Sequence, residues 1–144
     1  MKRLSAWLGI TAVLGGCAIT GHLYPVQGPL AGPGTLPIFN VTKQDGAFPT
    51  GAIEVQLANG NDCQGELGFV AQSDPTARQM AAEWDSVYGS GYFVANVLGR
   101  STFARSALAC TNGDRLGLEY LLLDGNTARG VARDGAGNVF KLTF

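Results

Sequence analysis

Three kinds of residue in this 144-residue chain carry enough reactivity to raise a question of chemistry: cysteines at 17, 63 and 110, a single histidine at 22, and scattered carboxylates. A thiol can be acylated, bound to metal or oxidised to a disulfide, and its neighbours and compartment decide which. His22 stands beside Leu23 and Tyr24 with no Cys, Asp or Glu at ligand spacing, so it offers neither a metal site nor a Cys-His or Ser-His-Asp arrangement. The sequence holds no Gly-x-Ser-x-Gly elbow and no Gly-x-x-x-x-Gly-Lys-Ser/Thr phosphate loop. Glu54, Glu66, Glu83, Asp85 and Glu119 are acids of the type a glycosidase uses, but no spacing joins any two of them. The expectation is a non-enzyme, without metal or cofactor.

Around these residues the charges are sparse and mixed. Ten basic and eleven acidic residues form no block of one sign, which excludes the electrostatic footprint of a nucleic-acid binder. The length suits one domain, and 21 glycines favour many turns over long helices.

Met1, Lys2 and Arg3 are followed by an almost wholly apolar run from Leu4 to Leu14, the layout of an export signal. That run is shorter than the roughly 20 residues a membrane-spanning helix needs. Next comes Leu14-Gly15-Gly16-Cys17, which resembles the lipobox of bacterial lipoproteins. The resemblance implies removal of residues 1–16, a thioether-linked diacylglycerol on Cys17 and a membrane-tethered mature chain, which two or more acyl chains would hold stably. Ala18 stands where, in that family, aspartate would favour inner-membrane retention, so the implied location is the outer membrane, facing the periplasm.

Residues 17–35 read as the lipidated cysteine and a tether. Pro25, Pro29 and Pro33, interleaved with Gly21, Gly28, Gly32 and Gly34, discourage both helix and central strand. Residues 36–144 read as a β-rich globular domain. Ile53, Val55 and Leu57 alternate with Glu54 and Gln56, Asn59-Gly60-Asn61-Asp62 reverses the chain, and Gln64 to Ala71 returns with Leu67 and Phe69 on one side. One helix follows, with Asp74 as N-cap, Pro75 at its first position and Gly89 as its stop. Ala77, Met80, Ala81, Trp84, Val87 and Tyr88 form its apolar stripe, with Arg78, Gln79, Glu83 and Ser86 opposite. Strand patterns resume at 92–98, 102–109, 115–123, 128–133 and 139–144, broken by Asn-Gly-Asp and Asp-Gly turns. The architecture expected is mainly β: an antiparallel sheet or partly closed barrel of seven or eight short strands, with a single helix on one face. Phe140, Leu142 and Phe144 also fit the closing strand of an outer-membrane barrel, but the strands are short for that role and a helix needs the sheet's face.

With Cys17 acylated, Cys63 and Cys110 are the remaining thiols, and in an exported domain they are expected to pair. The closed loop of about 48 residues would stabilise the fold by roughly 4 kcal/mol on a chain-entropy model. Trp84, Tyr88 and Tyr92, around the mobile-looking Gly89-Ser90-Gly91, are the candidate binding groove, although an aromatic stripe at helical spacing also suits a core.

Three further stretches resemble small proteobacterial outer-membrane lipoproteins: Thr20-Gly21-His22-Leu23-Tyr24-Pro25-Val26-Gln27-Gly28-Pro29, Met80-Ala81-Ala82-Glu83-Trp84-Asp85-Ser86-Val87-Tyr88-Gly89 and Gly137-Asn138-Val139-Phe140-Lys141-Leu142. That likeness brings no substrate or active site with it. The function expected is a lipid-anchored envelope protein, a non-catalytic periplasmic binding or structural module. Its partners are the membrane through the anchor and an envelope protein or glycan. The alternative is an inhibitor of a cell-wall hydrolase, since Ser90-Gly91-Tyr92 faintly echoes the Ser-Gly-x-x-Tyr loop of lipid-anchored lysozyme inhibitors.

Overall fold

Every second residue along most strands of this chain is apolar, and the fold turns those rows toward one another. The computed structural model describes residues 18–32, 38–42, 51–71, 73–124 and 127–144; Cys17, the expected signal peptide and part of the expected tether lie outside these. The strands are β1 (Ala18–Gln27), β2 (Ile38–Thr42), β3 (Ala52–Gln56), β4 (Asp62–Glu66), β5 (Gly68–Phe69), β6 (Phe103–Cys110), β7 (Arg115–Leu122), β8 (Ala128–Asp134) and β9 (Val139–Thr143). The helix α1 (Ala81–Tyr88) and a π-helical turn (Phe93–Val97) lie between β5 and β6.

The sheet is antiparallel, and pairing largely follows chain order. β1 pairs with both β2 and β9, while β4 and β5 both pair with β6. β4 and β5 are successive lengths of one stave, interrupted at buried Leu67, so the nine strands of the described residues trace a ring of eight staves closed by the short β4–β6 ladder. The mainly β architecture expected, an antiparallel sheet or partly closed barrel with helical packing on one face, is what forms. Its interior is filled by inward rows that include Ile53 and Val55 of β3, Leu116, Leu118, Tyr120 and Leu122 of β7, and Phe140 and Leu142 of β9. Each large apolar side chain so buried contributes about 1.5–3 kcal/mol. An apolar interior beneath an outer face bearing Glu54, Gln56 and Arg133 is the reverse of a lipid-embedded barrel. Among the described residues no helix is long and apolar enough to cross a membrane.

Four expectations need correction. Residues 18–27 are not tether but β1, with Leu23 fully buried opposite Leu142. Pro25 is tolerated because the ladder to β9 shifts register between Pro25 and Gln27, where a missing N–H matters least. Residues 92–98 are not a strand: Phe93 and Val97, four apart, are buried together, as a helical turn requires. The helix is also shorter than expected, and a second helical segment joins it. Asp74 caps Thr76 N–H at 2.7 Å, but Ala77, Gln79 and Ala81 donate to residues only three back. The Thr76 carbonyl accepts both from Gln79 N–H, three residues on, and from the Arg105 guanidinium. Finally, of Leu67 and Phe69 only Leu67 joins the core; Phe69, opposite Ala104 on β6, is exposed.

The insertion between β5 and β6 builds a second core outside the barrel wall. Ala77, Met80, Trp84, Phe93 and Val97 pack on Phe103, Leu121 and Val131, which point outward from β6, β7 and β8. Gly130 of β8 makes this wall possible, because a Cβ there would lie 2.3 Å from the Glu119 carbonyl oxygen and 2.6 Å from Tyr120 Cβ.

Candidate functional site

Two clusters lie on the helical side of the barrel. The first is the expected aromatic group. Trp84 and Tyr88 sit one turn apart on α1, and Tyr92 opens the π-helical turn. Asp85 holds that turn in place, accepting from Gly91 N–H and Phe93 N–H at 2.9 Å each; these bonds keep its carboxyl below the usual range. The rings gather into one stack, with Trp84 and Tyr92 nearly parallel at 6.1 Å and Tyr88 and Tyr92 at 4.8 Å. Trp84 is fully buried. The Tyr88 hydroxyl is within bonding distance of the carbonyls of Gly130 (3.0 Å) and Leu142 (3.4 Å), and burial pushes it up to about 12. The sequence thus brings Trp84, Tyr88 and Tyr92 together, but as a stack packed on the wall. Lys141 covers the Tyr88 ring at 5.5 Å.

Beneath the stack lies an ionic network that spacing did not reveal. Glu119, fully buried, accepts from Trp84 Nε1 at 2.9 Å and from Arg105 at 3.0 Å (Nε) and 2.7 Å (Nη2). Burial raises its pKa; the bonds from Arg105 and Trp84 pull the other way. Arg105 reaches on to Thr76 Oγ1 and the Thr76 carbonyl, so one guanidinium ties the insertion to the barrel. Glu83, expected on a solvated face, is buried and paired with Arg133. Of the candidate acids, Glu83 and Glu119 are thus neighbours engaged by separate arginines, while Glu54 and Glu66 are exposed on β3 and β4.

The second cluster is a groove of about 580 Å³ on the outer wall, between the start of the helical insertion and the turns that join β6 to β7 and β8 to β9. Arg105, Arg115 and Arg133 line it together with Asp114 and Asp134. None of the three arginines stood out in the sequence. The available signal was the strand register, which the turns at 111–114 and 135–138 help to set and which puts them on one face of adjacent strands.

Cys63 and Cys110 are opposite each other on β4 and β6 and form a disulfide, as expected. The bond lies where the ring closes, and it supplements the short β4–β6 ladder. His22 is exposed on the outer face of β1, its ring 6.2 Å from Tyr24. Among the described residues no group of three or more His, Cys, Asp and Glu side chains is placed to hold a metal. No family model, curated protein or solved structure matches this chain.

Proposed function

We propose that the mature protein is a lipid-anchored envelope barrel, a non-catalytic binding module held at the outer membrane by acyl chains on Cys17. One observation carries the reading: a basic and then apolar leader runs into Leu14-Gly15-Gly16-Cys17, and the next residue, Ala18, is the first of β1. A disulfide at Cys63 and Cys110 suits the oxidising side of a membrane. Strand direction adds an orientation. β1 begins at the barrel end that also holds the turn from β7 to β8 and the close of β9. With acylation one residue before β1, this end faces the lipid, and the turns at 111–114 and 135–138, with the groove beside them, face away.

The hydrolase-inhibitor alternative draws less support. Ser90-Gly91-Tyr92 connects two helical segments, and its tyrosine stacks on Tyr88 rather than projecting as a probe. Palmitate labelling in cells and intact mass of the extracted protein test the anchor. The expected product starts at Cys17 and carries acyl chains, and Cys17→Ala abolishes labelling. A mature chain with a different first residue, or an unmodified Cys17 thiol, refutes the reading.

A further inference from the structure

The groove on the outer wall owes its existence to missing side chains. Ala107 of β6, Gly117 of β7 and Arg133 of β8 are register partners in one cross-strand row. The small residues at 107 and 117 leave a floor with Met80 at its edge. A Cβ on Gly117 would make only ordinary contacts, 3.6 Å to Met80 Sδ and 3.7 Å to the Arg133 carbonyl oxygen, and its φ is not positive. Neither a turn nor a close approach demands glycine here. Gly130 and Gly65 differ, since a Cβ at either would come within 3.0 Å of a neighbour.

The polar groups around this floor are unequal. Asp114 accepts from the N–H groups of Arg115 and Gly135, and Asp134 from Asn138 N–H and Nδ2, so both carboxylates are engaged in closing turns. The arginines retain donors. A guanidinium carries five N–H groups. Arg133, with 48% of its side chain exposed, gives Nη1 to Glu83, and among the described residues its other nitrogens have no partner. The exposed Arg115 side chain likewise meets no acceptor among the described residues. Arg105 and Arg133 are each anchored by a buried carboxylate, which fixes their position before any ligand arrives. A volume near 580 Å³ lies within the range of about 300–1,000 Å³ typical of small-molecule sites.

We infer that this groove binds an organic oxyanion: a carboxylate or phosphate group held by Arg115 and Arg133, with a compact apolar body over Ala107, Gly117 and Met80. Forked guanidinium donors match planar carboxylate and phosphate edges, and the floor accepts the rest of the molecule. The inference deepens the binding-module reading and rests on it for its biological use.

The test titrates the full mature protein in detergent with phenyl phosphate and with benzoate, followed by amide NMR shifts; inorganic phosphate and phenol serve as single-feature controls. Expected are saturable shifts at Gly117, Gly135 and Arg115 with phenyl phosphate, benzoate or both, and at least tenfold weaker binding for each control. Gly117→Val fills the floor with a residue suited to strands and Arg115→Gln removes the charge. Each is expected to lower affinity at least tenfold while leaving Tm unchanged. Absence of saturable shifts with both organic anions overturns the inference, as does undiminished binding in folded Gly117→Val. Neither result touches acylation of Cys17, and a bare Cys17 leaves the titration unaffected, so the two failures are distinguishable.

Discussion

Replacing Arg105 with methionine keeps the aliphatic stem and removes the guanidinium that faces Glu119. The acid is fully buried and the arginine side chain only 19% exposed, so water reaches the orphaned carboxylate poorly. Removing one partner of a buried pair typically costs about 3–5 kcal/mol. Glu119 can limit that loss by taking a proton, which at pH 7 costs about 3.7 kcal/mol for a group with an ordinary carboxyl pKa near 4.3. The two bounds agree on a loss of about 3–4 kcal/mol at pH 7. The bonds to Thr76 add about 1 kcal/mol that does not depend on pH. Burial already raises Glu119 in the native protein, and losing Arg105 raises it further. Between the unfolded and folded pKa the native variant holds more protons than its unfolded chain, so its stability falls as pH rises through that window. At pH 5 the protonation cost is only about 1 kcal/mol, and the total loss shrinks to about 2 kcal/mol. Urea unfolding of both proteins, followed by circular dichroism at the two pH values, measures this. Glu119→Gln added to Arg105→Met should recover most of the pH 7 loss. An equal loss at both pH values, or no recovery, would show that Glu119 is not the charge Arg105 neutralises.

Two further outcomes follow from the wall of the barrel. Joint replacement of Cys63 and Cys110 by alanine releases a cross-link between residues 47 apart and is expected to lower stability by about 2–4 kcal/mol in urea unfolding; an unchanged midpoint would refute a disulfide at the ring closure. Gly130→Ala forces a Cβ against the Glu119 carbonyl oxygen and Tyr120, and is expected to cost about 3 kcal/mol or more, read as a large fall in Tm. A melting curve like that of the native protein would contradict the wall packing.

What the sequence revealed depended on how local the deciding interaction was. β3 and β4, and β6 to β9 in turn, keep alternation and are joined in sequence by Asn-Gly or Asp-Gly, so a short window contains most of what forms them. β1 was hidden because proline and glycine dominate its neighbourhood, and its partners β2 and β9 supply what its composition lacks. The π-helical turn has strand-like residues, Phe93, Val94 and Val97, and is held by the carboxylate of Asp85 from the preceding helix. For the aromatic group, helical spacing correctly brought Trp84 and Tyr88 together, but burial against Gly130 had to come from the fold. The arginines of the groove lie on three strands and become neighbours only through register, which no single segment encodes.

Closure of the ring through β1 and β9 has a kinetic consequence. Leu23 and Leu142 lie 119 residues apart in sequence, so this ladder cannot zip until β9 has been made. Contacts of such sequence separation slow folding, and until they form, the first and last staves each present an open edge able to recruit another chain. A chain still lacking β9 is therefore the form most exposed to edge pairing with another chain, whereas in the closed ring both edges of β1 and β9 are covered by neighbouring strands.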